Sequence, residues 1–425
     1  MTYFGTDGIR KNGDFFTSEF LEKVADATSA LPDCSFVAVG RDTRKSGRFI
    51  ADVLTTALQK RGVSVAALGI VPSPCLALCT AKLGCDYGIM ITASHNPPDY
   101  NGIKFFSRTG AKINRDTEKL IERYIIEPQS SIKKSGKIIY PDATEIYLNH
   151  AKIVPTLNNA RILLDCAYGA ASGFAASVFR AAGARVVAYC DDQAAGEKIN
   201  LNCGSAHAKL LSSLSSEFDF AFSFDGDADR VIGVKNGVVY DGDHLLFCLS
   251  KLMNEKGQLA NSAVCGTVMT NMGVERAYNN AKIKLIRCPV GDREVFLNMQ
   301  EQCLNAGGEK SGHIILSDVL NTGDGIMTAL ITAAINVKYP IEALDTVVEC
   351  PSFSSELSVT AAQARAFYDK YGDGIFEAKN GVRYVVRLSG TEPKIRLLTE
   401  SEDATLARKS LEKIKNYVAE FVYDY

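Results

Sequence analysis

Residues 218–230 read Phe-Asp-Phe-Ala-Phe-Ser-Phe-Asp225-Gly-Asp227-Ala-Asp229-Arg230. The apolar run before Asp225 has the length and aromatic content of a β-strand, so the acidic triplet sits at a strand end. Three carboxylates at alternate positions, with a glycine after the first, can converge on one hard divalent cation. An EF-hand spaces its aspartates similarly, but it needs Gly at its sixth position, where Arg230 stands, and Glu at its twelfth, where Asn236 stands. Calcium of that kind is excluded. Magnesium fits better, because it is held by few carboxylates together with a phosphate oxygen. A solvated acidic turn is the plain alternative, at odds with the mutual repulsion of three crowded carboxylates.

Outward from this strand the chain alternates strands and helices. A first cycle has strands at 34–40, 63–70 and 86–92, with helices at 46–61, capped by Ser46, and from about Ser73. A second has strands at 161–167, 184–190 and 218–224, with helices around 171–182 and 207–216. A third has strands at 263–269 and 283–289, with a helix from about 272. Three α/β units of similar build are expected. The end differs: strands at 381–388 and 395–401 precede an amphipathic helix at 402–421, which reads as a small α+β domain with antiparallel strands. The expected domains are 1–150, 151–240, 241–350 and 351–425.

Composition narrows the class. The chain has 425 residues, enough for roughly three to four domains of ~100–150 residues. Lys plus Arg is 47 and Asp plus Glu is 49, a net charge of -2, which argues against a nucleic-acid partner. Apolar residues make up 46%, too many for a disordered acidic protein. No apolar run approaches the ~20 residues of a membrane span. Asp7, Arg10 and Lys11 interrupt what would be the apolar stretch of a signal peptide. A cytoplasmic protein with no membrane partner is expected. The 12 cysteines are scattered, without Cys-x-x-Cys, and read as buried free thiols.

Three further segments carry chemistry. Thr92-Ala-Ser94-His95-Asn96-Pro97-Pro98 follows the strand at 86–92, so Ser94 lies on a loop at a strand terminus. Neighbouring Ser and His seldom align for hydrolysis, and the G-x-S-x-G elbow is absent. A phosphate-carrying hydroxyl suits the segment better, since phosphoserine needs a cation beside it; a polar turn before Pro97 stays open. Arg387 to Arg396 (RLSGTEPKIR) places Ser389, Gly390 and Thr391 in a tight turn between two strands. Hydroxyls, backbone N–H groups and two arginines can grip a phosphate, although an ordinary hairpin would look alike. Gly307-Gly-Glu309-Lys310-Ser311-Gly-His313 offers a carboxylate, a hydroxyl and an imidazole to sugar hydroxyls, with a flexible loop as the alternative.

Together, in this order and spanning nearly the whole chain, the four segments resemble the phosphoserine, metal, sugar and phosphate loops of the α-D-phosphohexomutase family. Phe4 to Arg10 (FGTDGIR) and Gly40 to Arg44 (GRDTR) also resemble family segments. The resemblance implies a four-domain, heart-shaped protein with one central cleft. It implies phosphate on Ser94, and magnesium on Asp225, Asp227, Asp229 and a phosphoserine oxygen. It implies Arg10, Lys104 and His313 as the proton-handling candidates and Arg230 as a charge neutraliser. Glu309, Ser311, Arg293, Arg387, Ser389, Gly390, Thr391 and Arg396 are the implied substrate ligands. Segments 203–207, 268–273, 290–293 and 322–325 are similar to the branch that acts on glucosamine phosphate; glucose or mannose phosphate is the alternative. Ala228 stands where glycine is common in the metal loop, and Ala206 replaces a more usual Thr. A sugar bisphosphate is the implied intermediate and activator, and the resemblance leaves a homodimer open.

Overall fold

The computed structural model describes residues 3–5, 7–128, 135–372, 374–389 and 393–423. The first sheet contains β1 (Ile9–Asn12), β2 (Phe36–Arg41), β3 (Ser64–Ile70), β4 (Tyr87–Ile91), β5 (Tyr100–Ser107) and β6 (Ile138–Ile139), in the order β1-β5-β4-β2-β3-β6. β2, β3, β4 and β6 run parallel, whereas β5 is antiparallel to both β4 and β1. Helices α1 (Ser18–Ser29), α2 (Lys45–Lys60), α3 (Ser73–Lys82) and α4 (Arg115–Ile126) belong to this region, and α5 (Ala143–Ala151) leads out of it.

The second sheet holds β7 (Arg161–Asp165), β8 (Arg185–Tyr189), β9 (Phe220–Phe224), β10 (Val231–Lys235) and β11 (Val238–Tyr240), with α6 (Phe174–Ala181) between β7 and β8. α7 (Gly242–Glu255) leads to the third sheet of β12 (Ala263–Thr267), β13 (Lys284–Cys288), β14 (Ala306–Gly308) and β15 (Ile314–Leu316). With it go α8 (Met272–Asn280), α9 (Asp292–Glu301), α10 (Gly325–Lys338) and the short α11 (Ile341–Leu344). These two sheets repeat the plan of the first: parallel inner strands, then a turn into an antiparallel strand. The fourth sheet, β16 (Ser352–Ser358), β17 (Gly374–Lys379), β18 (Val382–Leu388) and β19 (Lys394–Ser401), is antiparallel throughout and is accompanied by α12 (Ala361–Tyr371) and α13 (Ala404–Tyr423). The α/β class with a C-terminal α+β unit is the one expected from the alternation of elements.

One apolar core passes through the first three sheets. Cys75 and Leu76 on α3, Tyr147 on α5, Phe220, Phe222 and Phe224 on β9, Phe247 on α7 and Val264 on β12 all belong to it. The fourth sheet has its own core around Phe367, Val386, Leu397 and Val418. α10 follows the third sheet in sequence but packs on β9 and β10 of the second. No helix among the described residues is long and apolar enough to cross a membrane.

Two local expectations change. The helix read near 207–216 is a pair of short 3-10 turns, Ser205–Leu211 and Ser215–Glu217. Serines dominate this stretch and bond back to the chain, as Ser215 Oγ does to Ser212 O at 3.0 Å, which competes with an α-helical ladder. Ser46 is not the cap of α2. Arg44 holds that place without a side-chain bond, and Ser46 Oγ instead accepts from Asn101 Nδ2 at 2.8 Å. The thiols are free, and only Cys303 is exposed.

Candidate active site

The four chemistry-bearing segments are four hairpin connections. Residues 92–99 join β4 to β5, 225–230 join β9 to β10, 309–313 join β14 to β15, and 389–393 join β18 to β19. In the first three sheets the turn leaves the carboxyl end of a parallel strand, where α/β sheets place their ligands. The second and third loops touch directly: Arg230 and His313 form an isolated antiparallel bridge, with Val231 N donating to Gly312 O at 3.0 Å.

Ser94 is buried, and its backbone is left-handed at φ 52. That conformation is uncommon for a residue with a Cβ and is found where surrounding contacts impose it. The contacts are explicit. Arg44, wholly buried, donates to Ser94 O and Asn96 O at 2.8 Å each, to Tyr100 O at 2.9 Å and to Pro97 O. Asn200 Nδ2 reaches the same Ser94 and Asn96 carbonyls at 2.9 and 3.1 Å. Thr92 Oγ1 accepts from Ser94 N at 2.9 Å and donates to Asp42 Oδ2 at 2.7 Å, while Asp42 pairs with Arg44 at 2.9 Å. The result points Ser94 Oγ at Asp225 Oδ2, 2.6 Å away.

Asp225, Asp227 and Asp229 are all buried, and one oxygen from each lies within 4.8 Å of the others. Burial, then Asp229 and Asp227, pushes the Asp225 carboxyl up to about 7. Asp227 Oδ1 and Asp229 Oδ1 are buried without a hydrogen-bond partner. Carboxylate oxygens left in that state match a site built for a hard cation. Ser73 Oγ donates to Asp227 Oδ2 at 2.5 Å and steadies the loop from α3.

Strand register explains the cations that face this cluster. Arg10 on β1 lies opposite Gly102 on β5, and Lys104 is two residues along the same face. A Cβ on Gly102 would fall 2.5 Å from Thr92 O and 2.7 Å from Ile9 O, so the missing side chain is what lets the backbones of β1 and the serine loop approach β5. Lys104 Nζ contacts Asp227 at 2.8 Å, Asp7 at 3.1 Å and Asp229 at 3.2 Å. Burial opposes its charge, but these three carboxylates outweigh burial and hold its pKa well above the ordinary lysine value. Lys104 is therefore suited to neutralise charge, and a base at this position would have to release a triply held proton. Burial likewise opposes the charge of Arg10 and Arg230, yet Asp7 and Asp227 for the first, and Asp225 and Asp229 for the second, keep both charged. His95 Nδ1 stands 3.5 Å from Ser94 Oγ, and burial, with Arg230 and Arg10, depresses its pKa to about 4.

A ring of alternating charge closes behind these residues: Lys104, Asp7, Lys112, Asp292, His313 and Asp229. Asp7 and Asp292 stand in segments singled out for resemblance, but nothing in their spacing assigned them a part, and Lys112 had no signal at all. His313 Nδ1 lies 3.6 Å from Asp229 Oδ1, and Nε2 lies 3.9 Å from Asp292 Oδ2. Burial lowers its pKa, but Asp229 and Asp292 prevail and hold it above the ordinary histidine value. In the neutral ring Nε2 accepts from Gly323 N at 3.2 Å, which leaves the proton on Nδ1, towards Asp229.

The remaining expected residues divide. Glu309 Oε1 accepts from Gly291 N at 3.0 Å, and burial raises its pKa. Ser311 is exposed on the same turn. Arg293 was expected at the substrate; its buried guanidinium instead makes a two-pronged pair with Glu118 of α4, Nη1 to Oε2 at 2.9 Å and Nη2 to Oε1. It ties α9 to α4, because a buried arginine needs its counter-charge, and its Nε is buried without a partner. Arg387 and Arg396 are paired across β18 and β19, and burial lowers the Arg387 pKa, with Arg396 adding to this. Arg387 Nε is buried without a partner. Ser389 N donates to Lys394 O at 2.8 Å, while Gly390 and Thr391 lie outside the described residues.

Comparison with known proteins agrees with this fold. Models of the phosphoglucomutase/phosphomannomutase family match residues 1–131 (alpha/beta/alpha domain I), 241–351 (alpha/beta/alpha domain III) and 355–416 (C-terminal domain). A phosphoglucosamine mutase of Nautilia profundicola is 38% identical over 98% of this chain and 99% of its own. A family protein of Burkholderia thailandensis superposes with a TM-score of 0.86 at 22% identity, covering 99% of this chain and 97% of that one. An N-acetylphosphoglucosamine mutase of Aspergillus fumigatus, solved with GlcNAc-6P and magnesium, superposes at 0.65 with 16% identity, covering 99% and 96%. With three domain models matched in order and a relative aligned end to end, the chain belongs to the phosphoglucomutase/phosphomannomutase family of phosphohexomutases, and is an isomerase-type phosphotransferase.

Proposed function

We propose that the protein interconverts glucosamine 6-phosphate and glucosamine 1-phosphate as a phosphoglucosamine mutase, with Ser94 as the phosphoryl carrier. The observation that carries this reading is Ser94 Oγ held 2.6 Å from Asp225 inside a buried carboxylate cluster. The full-length relative of that name supports the amino-sugar substrate. The proposed division is four domains, 1–150, 151–240, 241–350 and 351–425, with the cleft between their four hairpins. The proposed setting is the cytoplasm, the partners are small sugar phosphates, and a sugar bisphosphate primes the serine.

Phosphoserine 94 gives its phosphoryl group to the free hydroxyl of the bound sugar phosphate, which yields a bisphosphate. After the bisphosphate turns in the cleft, Ser94 takes back the phosphoryl group from the other end. Asp225, Asp227, Asp229 and an oxygen on phosphorylated Ser94 would hold magnesium, which when bound supplies positive charge at the transferring group. Arg10, Arg230 and Lys104 add fixed positive charge there, the main demand of phosphoryl transfer. His313, poised between Asp229 and Asp292 with its proton on Nδ1, orients Asp229 and, once protonated, adds positive charge beside the transferring group. Glu309 accepts from sugar hydroxyls. Arg387, Ser389, Gly390, Thr391 and Arg396 grip the phosphate that is not reacting, and a grip on phosphate serves both orientations of the sugar.

The test is kcat/KM with magnesium and a trace of bisphosphate for the glucosamine, glucose and mannose phosphates, together with Ser94→Ala. A preference for glucosamine phosphate and no turnover by the variant are expected. Better use of glucose or mannose phosphate overturns the substrate, and near-normal turnover by Ser94→Ala overturns the carrier.

A further inference from the structure

Two thiols outside the site share a pocket with a carboxylate. Cys190 follows β8 and Cys203 precedes Gly204; they are 7% and 2% exposed, and their sulfurs and an oxygen of Asp165 all lie within 4.8 Å of one another. The carboxylate is already engaged: Oδ1 accepts from Ala167 N at 3.0 Å, and Oδ2 accepts from Gly204 N at 2.6 Å and Ser223 Oγ at 2.9 Å. That leaves it poorly placed to ligate a metal and leaves the two sulfurs facing each other.

The thiols are unequal. The neighbouring Cys203, with Tyr168 and Tyr189, lowers the Cys190 pKa against burial, while the Cys203 thiol, whose Sγ donates to Lys198 O at 4.0 Å, is raised. Two unequal thiols this close together on loops have the arrangement of an attacking and a resolving cysteine. A second pair, Cys265 and Cys288, has its sulfurs 3.6 Å apart, but it sits inside neighbouring parallel strands and out of register, Cys265 opposite Ile286 and Cys288 opposite Thr267. Cys265 and Cys288 are held in a hydrogen-bonded ladder, whereas Cys190 and Cys203 lie on loops, where the backbone can adjust to disulfide geometry.

The segment between Cys190 and Cys203 rests on the carrier serine. Asn200 holds the Ser94 and Asn96 carbonyls, and Gly196 is so close to the 42–44 segment that a Cβ would lie 1.9 Å from Thr43 O.

We propose that Cys190 and Cys203 form a redox-active dithiol that closes to a disulfide with hydrogen peroxide and thereby displaces the Asn200 support of Ser94. The Cys190 thiolate attacks peroxide, the O–O bond breaks, and Cys190 becomes a sulfenic acid as the hydroxide released takes a proton to form water. The Cys203 sulfur then attacks the Cys190 sulfur, the S–S bond forms, the S–O bond breaks, and the oxygen leaves as a second water. Two thiols are oxidised and one peroxide is reduced; an external dithiol reverses the bond by exchange.

The effect on turnover rests on the mutase reading, whereas the disulfide does not, and the test separates them. Full-length protein is titrated with hydrogen peroxide, mapped by mass spectrometry without reduction, and assayed before and after dithiothreitol. A Cys190–Cys203 cross-link should form before any other cysteine reacts, with a several-fold, reversible loss of turnover. Cys190→Ser and Cys203→Ser should keep the basal rate and escape the loss, and Cys203→Ser should retain a dimedone-reactive sulfenic acid at Cys190. Oxidation first at Cys303 or at Cys265 and Cys288, or zinc bound by both thiols in the purified protein, overturns the dithiol. A cross-link with unchanged turnover overturns the control of Ser94. A cross-link in a protein inactive on every sugar phosphate leaves the dithiol standing and counts against the mutase reading.

Discussion

Arg44 touches no reacting atom, yet the direction of Ser94 Oγ depends on it. Its guanidinium collects four carbonyls of the 94–100 segment while Asp42 balances the charge. Arg44→Ala would leave Asp42 buried without its partner, a loss of about 3–5 kcal/mol, read as a lower denaturant midpoint. Arg44→Lys keeps the charge but cannot span four acceptors. It should lower kcat at least about tenfold with KM little changed, because the loop and not the substrate grip is altered. At this scale the residues proposed to react were legible: a serine after a strand and alternating aspartates announce their chemistry. Arg44, Asn200, Asp7, Lys112 and Asp292 were not, since each acts through partners far away in the chain. Arg293 shows the converse, a residue in a recognised segment whose neighbour Glu118 decides its part.

Helix ends aim two of the site loops. Asp324 caps α10, accepting from Met327 N at 2.9 Å and from the Tyr147 hydroxyl at 2.7 and 2.8 Å, and Gly325 N binds Ala228 O of the aspartate loop at 3.1 Å. Burial pushes the Asp324 carboxyl up to about 6. A raised carboxyl pKa means that folding favours the protonated form, so stability falls as pH rises from about 4 through about 6 and is then level. The shift corresponds to on the order of 2–3 kcal/mol. Asp324→Asn retains the acceptor for Met327 N. It should unfold at a higher temperature than the parent at pH ~7.5, and the gap should close as pH falls towards ~4, as thermal unfolding across pH would show. At the start of α7, a Cβ on Gly242 would lie 2.0 Å from Glu309 O. Gly242→Ala should push the sugar loop away and lower kcat/KM by about tenfold or more. Strands and long helices were legible from periodicity, because burial on one face or two leaves a pattern. The 3-10 turns at 205–217 were not, because apolar spacing alone does not reveal how serine hydroxyls compete for the backbone.

Across the whole molecule, the sheets are joined by buried ion pairs at their borders. Glu118 of α4 holds Arg293 of α9, and Lys112 holds Asp292. Glu118→Ala should cost about 3–5 kcal/mol, whereas Glu118→Met with Arg293→Met should recover most of it, as denaturant unfolding of the single and double variants would show. The fourth sheet is fastened to the third by Arg383, which pairs with Glu400 at 2.7 Å and donates to Thr270 O at 3.3 Å and to Val268 O. Arg387 on the same strand has no such duty, so Arg387→Ala should raise KM while leaving the unfolding midpoint in place. The chain's order of residues determined the alternation of strands and helices, the four loops and their separate chemistries, for these rest on local periodicity and on the functional groups of near neighbours. Only the tertiary structure decided that the first three hairpins converge and which distant carboxylates hold Lys104 and His313. It also decided that Arg44 clamps the serine loop and that Arg293 pairs with Glu118. Electrostatic pairing in a buried site depends on distances of a few ångströms between residues far apart in the chain, and those distances exist only after the sheets have packed.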